Sequence, residues 1–299
     1  MPPSDTFFTA PPAWNWLVIL YFFFGGIAGG SYFLAGLLRI FGTAGDRYLA
    51  RLGFLAAFPA AVLCAPLLIV DLNRPERFWH MIIQSQTGFP MFKSWAPMSV
   101  GSWALLIFSG FAFLSFVGAL VEGETIRWRR ASFLCNDVTC LVLIGLGSIA
   151  GFFLASYTGV LLSVTNRPIW ADSNLLGLLF LFSAASTSAA LLILLNRWRS
   201  SSSVESPEWL SRVDRGSKLL ELLTLAVLVI SLGAVATIWL SIWGILLVGG
   251  VVILGIIIPL VFHFWPDLMG SASVVTAAVL GLAGGLLLRI VIVMSAQAV

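Results

Sequence analysis

The sequence predicts an all-α, polytopic membrane protein: eight transmembrane helices in two four-helix bundles. Three observations predict it. The 299 residues are 60% hydrophobic with a mean hydropathy of +1.02. Apolar windows of about 20 residues, long enough to cross a bilayer core, recur along the whole chain. The windows of about ten alternating residues that a transmembrane barrel needs are missing.

The predicted spans are approximately 14–38, 52–70, 97–121, 133–156, 173–195, 219–239, 242–262 and 274–296. The opening Met-Pro-Pro-Ser-Asp has no basic region and no small-residue cleavage site, so no signal peptide is expected and the first helix is its own insertion signal. Trp14 and Trp16 sit at the interface, and Tyr21 follows roughly one and a half turns into span one. The run Gly25 to Gly30 either lets another helix pack closely or lets a flat ligand approach. Span two carries Pro59 and Pro66, which bend helices, and ends at Asp71.

The connection from Asn73 to Pro97 carries Phe78, Trp79, His80, Phe89, Phe92 and Trp95, the composition of a segment lying on the interface or against another protein. Pro97 opens span three, with Ser99 and Ser102 near its first turns. Span four starts with Asn136 and Asp137; an acid there either does intramembrane chemistry or complements the helix dipole. Span five has a small polar face, Ser183, Ser186, Thr187 and Ser188. Spans one to five with their outward loops, 71–97 and 157–172, occupy residues 1–196. A serine-rich cytoplasmic linker over 197–218 is the only internal boundary, and spans six to eight fill 219–299, all within one integral membrane domain. Between spans six and seven, Trp239 to Trp243 must turn without charge or proline, which puts its tryptophans at the interface. Gly281 to Gly285 in span eight precedes Arg289, a buried cation needing a partner; Asp71, or another acid at the same depth, is a candidate.

The net charge of +3 does not point to nucleic acid, because its distribution follows the membrane. Loops after odd-numbered spans hold eleven basic residues and loops after even-numbered spans hold four. By the positive-inside rule the odd loops are cytoplasmic, so both termini and the region Asp71 to Trp103 face outward. The three cysteines, Cys64, Cys135 and Cys140, fall within predicted spans with no CxxC spacing, so they read as packing residues and not as disulfide, zinc or cluster ligands.

The stretch Asp71 to His80, with Lys93 to Trp103 after it, packs five charges and a histidine between apolar runs in a chain with only 10% charged residues, and it marks where chemistry belongs. Asp71 is either an ordinary helix-end residue paired with Arg74 or Arg77, or a carboxylate tuned as a proton acceptor. Tyr157, at the outer end of span four, lies near the depth of Tyr21, so Tyr21, Asp71 and Tyr157 can line one cavity. No haem is expected, since His80 and His263 fall on opposite faces, and no motif for a metal, flavin or nucleotide is present. A pocket of tyrosine, acid, arginine, here Arg74, and small residues opening to lipid suits a quinone, although transporters also keep polar groups at mid-depth.

The strings Asp71-Leu-Asn-Arg-Pro-Glu-Arg-Phe-Trp79, Pro97-Met-Ser-Val-Gly-Ser-Trp103, Tyr157-Thr-Gly159 and Leu286-Leu-Leu-Arg289 together resemble the polysulfide reductase membrane subunit family, also called the NrfD family, over nearly the whole chain. The resemblance implies an eight-helix inner-membrane subunit of a bacterium or archaeon with no haem, cluster or metal of its own. Such a subunit exchanges electrons between menaquinone or menaquinol and an extracytoplasmic subunit bearing four iron–sulfur clusters, itself bound to a molybdopterin enzyme. Carried over, Asp71 is the outer acid, Arg74 and Arg77 are its neighbours, and Tyr157 with Thr158 marks the quinone pocket. Some members carry a histidine in the first helix, where this chain has Tyr21. Arg77, Trp79, His80, Lys93 and Trp95 then form the docking face for the iron–sulfur partner. Two alternatives stand beside this expectation: a proton-translocating module using Asp137, Glu221 and Arg289, and a passive anchor or solute transporter.

Overall fold

The computed structural model describes residues 14–125, 138–199, 208–265, 270 and 272–298. Among these residues, eight helical stretches are long and apolar enough to cross a membrane. Helix α1, Trp16–Phe41, begins where Asn15 caps it, the side-chain oxygen accepting from the Leu17 amide at 3.0 Å. Helix α2, Arg47–Asp71, contains Pro59 and Pro66 and ends on the acid that the sequence placed at a span boundary. The chain then folds over the helix ends as a short 3₁₀ helix, Pro75–Met81, followed by a tight loop in which Ile83 pairs with Pro90. Helix α3, Pro97–Glu122, has its proline in the first turn, where the missing N–H costs nothing. Helix α4 is Val138–Ser163, α5 is Leu176–Arg199, and α6 is Glu208–Leu232.

The last elements depart from regular α-helix. A 3₁₀ stretch, Gly233–Trp239, prolongs α6, and Ser241 caps the next crossing, α7, Ile242–Phe264. Within α7 the segment Leu246–Ile257 is π-helical, and α-helical hydrogen bonding resumes just ahead of Pro259. Helix α8, Ala272–Ser295, completes the set. Trp239, expected at the interface, is buried, its indole N–H donating to the Ser295 hydroxyl at 3.1 Å.

Helix α6 starts within the stretch read as a linker, so Asp214, Arg215 and Lys218 are helical residues. Lys218, counted among the loop cations, is completely buried. Helix α1 packs against α2, α4, α5 and α8, and α5 packs against α1, α4, α6 and α8. A division into two four-helix bundles is therefore not set by these packings, since α1 and α5 contact helices on both sides of it. The glycine run of α1 meets neighbouring helices: a side chain at Gly29 would strike the α4 backbone at Gly151, and one at Gly30 would strike α5 at Ser188. Helix packing accounts for the run. Cys64 and Cys140 are buried, and Cys135 lies outside the described residues.

Candidate functional site

At the end of the molecule where α2 finishes, the ends of α1, α2, α3 and α4 enclose a cavity of about 500 Å³, and the Pro75–Met81 segment forms its roof. Its wall is largely apolar, with Val18, Ala65, Leu68, Leu105 and Leu161 among the contributors. Tyr21 from α1, Asp71 from α2 and Tyr157 from α4 all line it. Three residues from three separate helices thus meet in one space, within the size range of small-molecule sites.

The two phenols are held differently. The Tyr157 hydroxyl donates to the carbonyl of Pro97 in the first turn of α3, and Gly101, one turn on, provides the room, because a side chain there would collide with the phenol oxygen. Phe153 stacks on the Tyr157 ring at 5.8 Å between centroids. Tyr21 is buried to 3% exposure, yet its hydroxyl bonds to no described residue and is not among the side-chain polar atoms sealed from solvent. Asp71 is half-buried and takes a hydrogen bond from the Asn15 side chain.

Trp14 forms a further wall. It stacks on Trp170 at 5.0 Å, meets Phe22 edge-on, and its carbonyl accepts from the Gln297 amide at 2.8 Å. Trp170 is fixed in turn by its indole N–H bond to the carbonyl of Ile292, 2.8 Å long. Ile169 before it has a φ of +70°, a strained conformation for a β-branched residue, and the Asp172 side chain holds its amide at 3.0 Å.

The other residues expected at the site are not in the lining. Arg74 and Arg77 are exposed on the roof segment, and Thr158 is wholly buried, its hydroxyl turned to the Ala155 carbonyl. Trp79, 42% exposed and packed on His80, shares the roof with Arg77, while Lys93 and the 79% exposed Trp95 follow on the same connection.

A second polar region, not anticipated as a unit, lies between α5, α6, α7 and α8. Asp214, Lys218 and Glu221 share one buried face of α6. The Asp214 carboxylate pairs with Lys218, accepts from Ser186 at 3.0 Å, and sits 2.7 Å from the His263 ring on α7. Lys218 also donates to Ser186 at 3.0 Å. Glu221 is hydrogen-bonded to Ser183 and lies near Lys218 and Arg289. Arg289, completely buried, donates to Ser183 at 3.1 Å and to the carbonyls of Phe22 and Gly285, with Phe23 and Phe180 rings 5.7 and 5.2 Å from its guanidinium carbon. Its acidic neighbour is therefore Glu221 and not Asp71, which lies out at the helix ends. Of the relay residues expected from sequence, Glu221 and Arg289 are in this cluster and Asp137 lies outside the described residues. The spacing Asp214-x₃-Lys218-x₂-Glu221 was the available signal, and starting span six at 219 hid it. Among the described residues no group of histidine, cysteine and carboxylate side chains is arranged to hold a metal ion.

Comparison with known proteins agrees with this architecture. Protein NrfD of Escherichia coli (strain K12) is 25% identical over an alignment covering 99% of each chain. A selenate reductase subunit from Mesobacillus selenatarsenatis is 26% identical over a shorter stretch, 32% of this chain and 20% of that one. The family model described as polysulphide reductase, NrfD, matches residues 5–299. With eight membrane-crossing helices and a match that spans nearly its whole length, this chain belongs to the NrfD family of polysulphide reductase membrane subunits, integral components of oxidoreductase complexes.

Proposed function

We propose that this chain is the quinone- and quinol-reactive subunit of its oxidoreductase complex, exchanging electrons between menaquinone and an extracytoplasmic subunit with four iron–sulfur clusters that serves a molybdopterin enzyme. The observation that carries the reading is the convergence of Tyr21, Asp71 and Tyr157 on one largely apolar cavity of about 500 Å³. An apolar wall suits the ring and tail of a lipid-soluble quinone, and the phenols suit its two oxygens. A quinol that gives up two electrons also releases two protons; the electrons leave to the partner subunit, and Asp71 at the rim takes each proton in turn and passes it to the water outside. Asn15 holds that carboxylate in place. The exposed aromatic roof, with Arg77, Trp79, His80, Lys93 and Trp95, is the surface on which the iron–sulfur subunit docks. A relative named as part of selenate reductase supports a place in a multi-subunit reductase.

The test is steady-state quinol oxidation by the purified complex. Tyr157→Phe raises the apparent KM for quinol roughly 3- to 10-fold, the worth of one hydrogen bond. Unchanged kinetics in both Tyr157→Phe and Asp71→Asn would leave a passive anchor or a transporter as the better description.

A proton-moving role has its own supporting observation, the chain of neighbouring ionisable groups from His263 through Asp214, Lys218 and Glu221 to Arg289, in which Ser183 bonds both Glu221 and Arg289. Arg289 bonds the carbonyl of Phe22, next in sequence to Tyr21, so this chain ends beside the cavity. In proteoliposomes, Glu221→Gln then abolishes turnover-coupled proton movement while quinol oxidation continues; intact coupling would make the network structural.

A further inference from the structure

The two phenols of the cavity differ in what they can offer a ligand. A phenol has one proton to donate. That of Tyr157 is committed to the Pro97 carbonyl, on a ring wedged against Gly101 and Phe153 and only 5% exposed, so towards the cavity it presents lone pairs. The Tyr21 proton is uncommitted among the described residues. An oxidised quinone has two carbonyl oxygens and accepts only, whereas a quinol has two hydroxyls and can donate.

We infer that the phenols treat the redox forms differently: Tyr157 accepts from a ring hydroxyl, which only the reduced form offers, while Tyr21 donates to a ring oxygen of either form and most strongly to the carbonyl of the oxidised one. Gly101 is the positioning residue that leaves Tyr157 in the accepting state, because it opens the slot through which the phenol reaches Pro97. This division rests on the quinone reading above.

The experiment is a binding titration of the full-length chain in nanodiscs with the short-tailed naphthoquinone menadione and with menadiol, followed by quenching of tryptophan fluorescence, since Trp14 lines the cavity. The expected result is a crossed pattern. Tyr157→Phe weakens menadiol roughly 3- to 10-fold and leaves menadione unchanged, Tyr21→Phe weakens menadione by a larger factor than menadiol, and Gly101→Ala follows Tyr157→Phe. The two phenylalanine variants decide the question even where Gly101→Ala fails to fold. A shift of the affinity ratio in the same direction by both, or no change in that ratio, overturns the assignment while leaving a quinone site in place. Failure of the unaltered chain to bind either compound overturns the quinone reading itself.

Discussion

The cavity under the aromatic roof and the buried chain along α6 are both polar islands in an apolar protein, but they are built on opposite terms. In the cavity, Asp71 is half-buried and the Tyr21 hydroxyl has no described partner. Along α6, Asp214, Lys218 and Glu221 are sealed and each is bonded to at least one neighbour. Unused hydrogen-bonding capacity facing an open space marks a place for a molecule that comes and goes. Bonded groups in a closed space hold one another, because an unpaired charge in low dielectric is costly, although one guanidinium nitrogen of Arg289 there has no described partner.

The largest effect should come from breaking the sealed region on one side only. Asp214→Ala leaves Lys218 buried without its carboxylate, and the expected loss is about 3–5 kcal/mol, read as poor recovery of folded protein and a lowered melting temperature in detergent. Asp214→Leu combined with Lys218→Met should recover most of that loss. If the single change is tolerated, the region is wet and the contrast with the cavity collapses.

In the cavity the costs should fall on turnover instead. Asp71→Asn is expected to lower quinol oxidation roughly 100-fold, the scale of a general base, with a melting temperature close to that of the parent chain. Loss of stability without loss of rate would make Asp71 an ordinary helix-end residue. Next in size is the link between the regions, Gly26→Ala. The added carbon would lie 2.8 Å from a guanidinium nitrogen of Arg289 and 3.3 Å from Ala184, so a cost of about 1–3 kcal/mol is expected from overpacking. Smallest is Arg74→Ala, at an exposed position away from the lining, which should leave both stability and quinol KM near their starting values, within about 0.5 kcal/mol.

Much of this contrast was legible in the sequence, and the part that was not has a physical reason. Hydropathy located all eight crossings, and the depth of Tyr21, Asp71 and Tyr157 along their helices was enough to expect them in one space. Thr158 and Arg74 were carried with their neighbours by motif, but a motif does not say which way a side chain points: one faces into the helix pack and the other out. The α6 cluster was missed because Asp214 and Lys218 lower a hydropathy average and so looked like solvent-exposed linker. Only their pairing with one another, with Ser186 and with His263, 49 residues away, makes their burial possible. Asn15 was invisible for a similar reason, its partner lying at the far end of the next helix.

The amide of Gln297 that grips the carbonyl of Trp14 ties the entry to α1 to the exit of α8 beside the cavity. Affinity handles fused directly after Gln297, or deletions that end at Ser295, therefore tug on a wall of the proposed binding space. Biochemistry on this subunit is better served by a tag set well beyond that clasp.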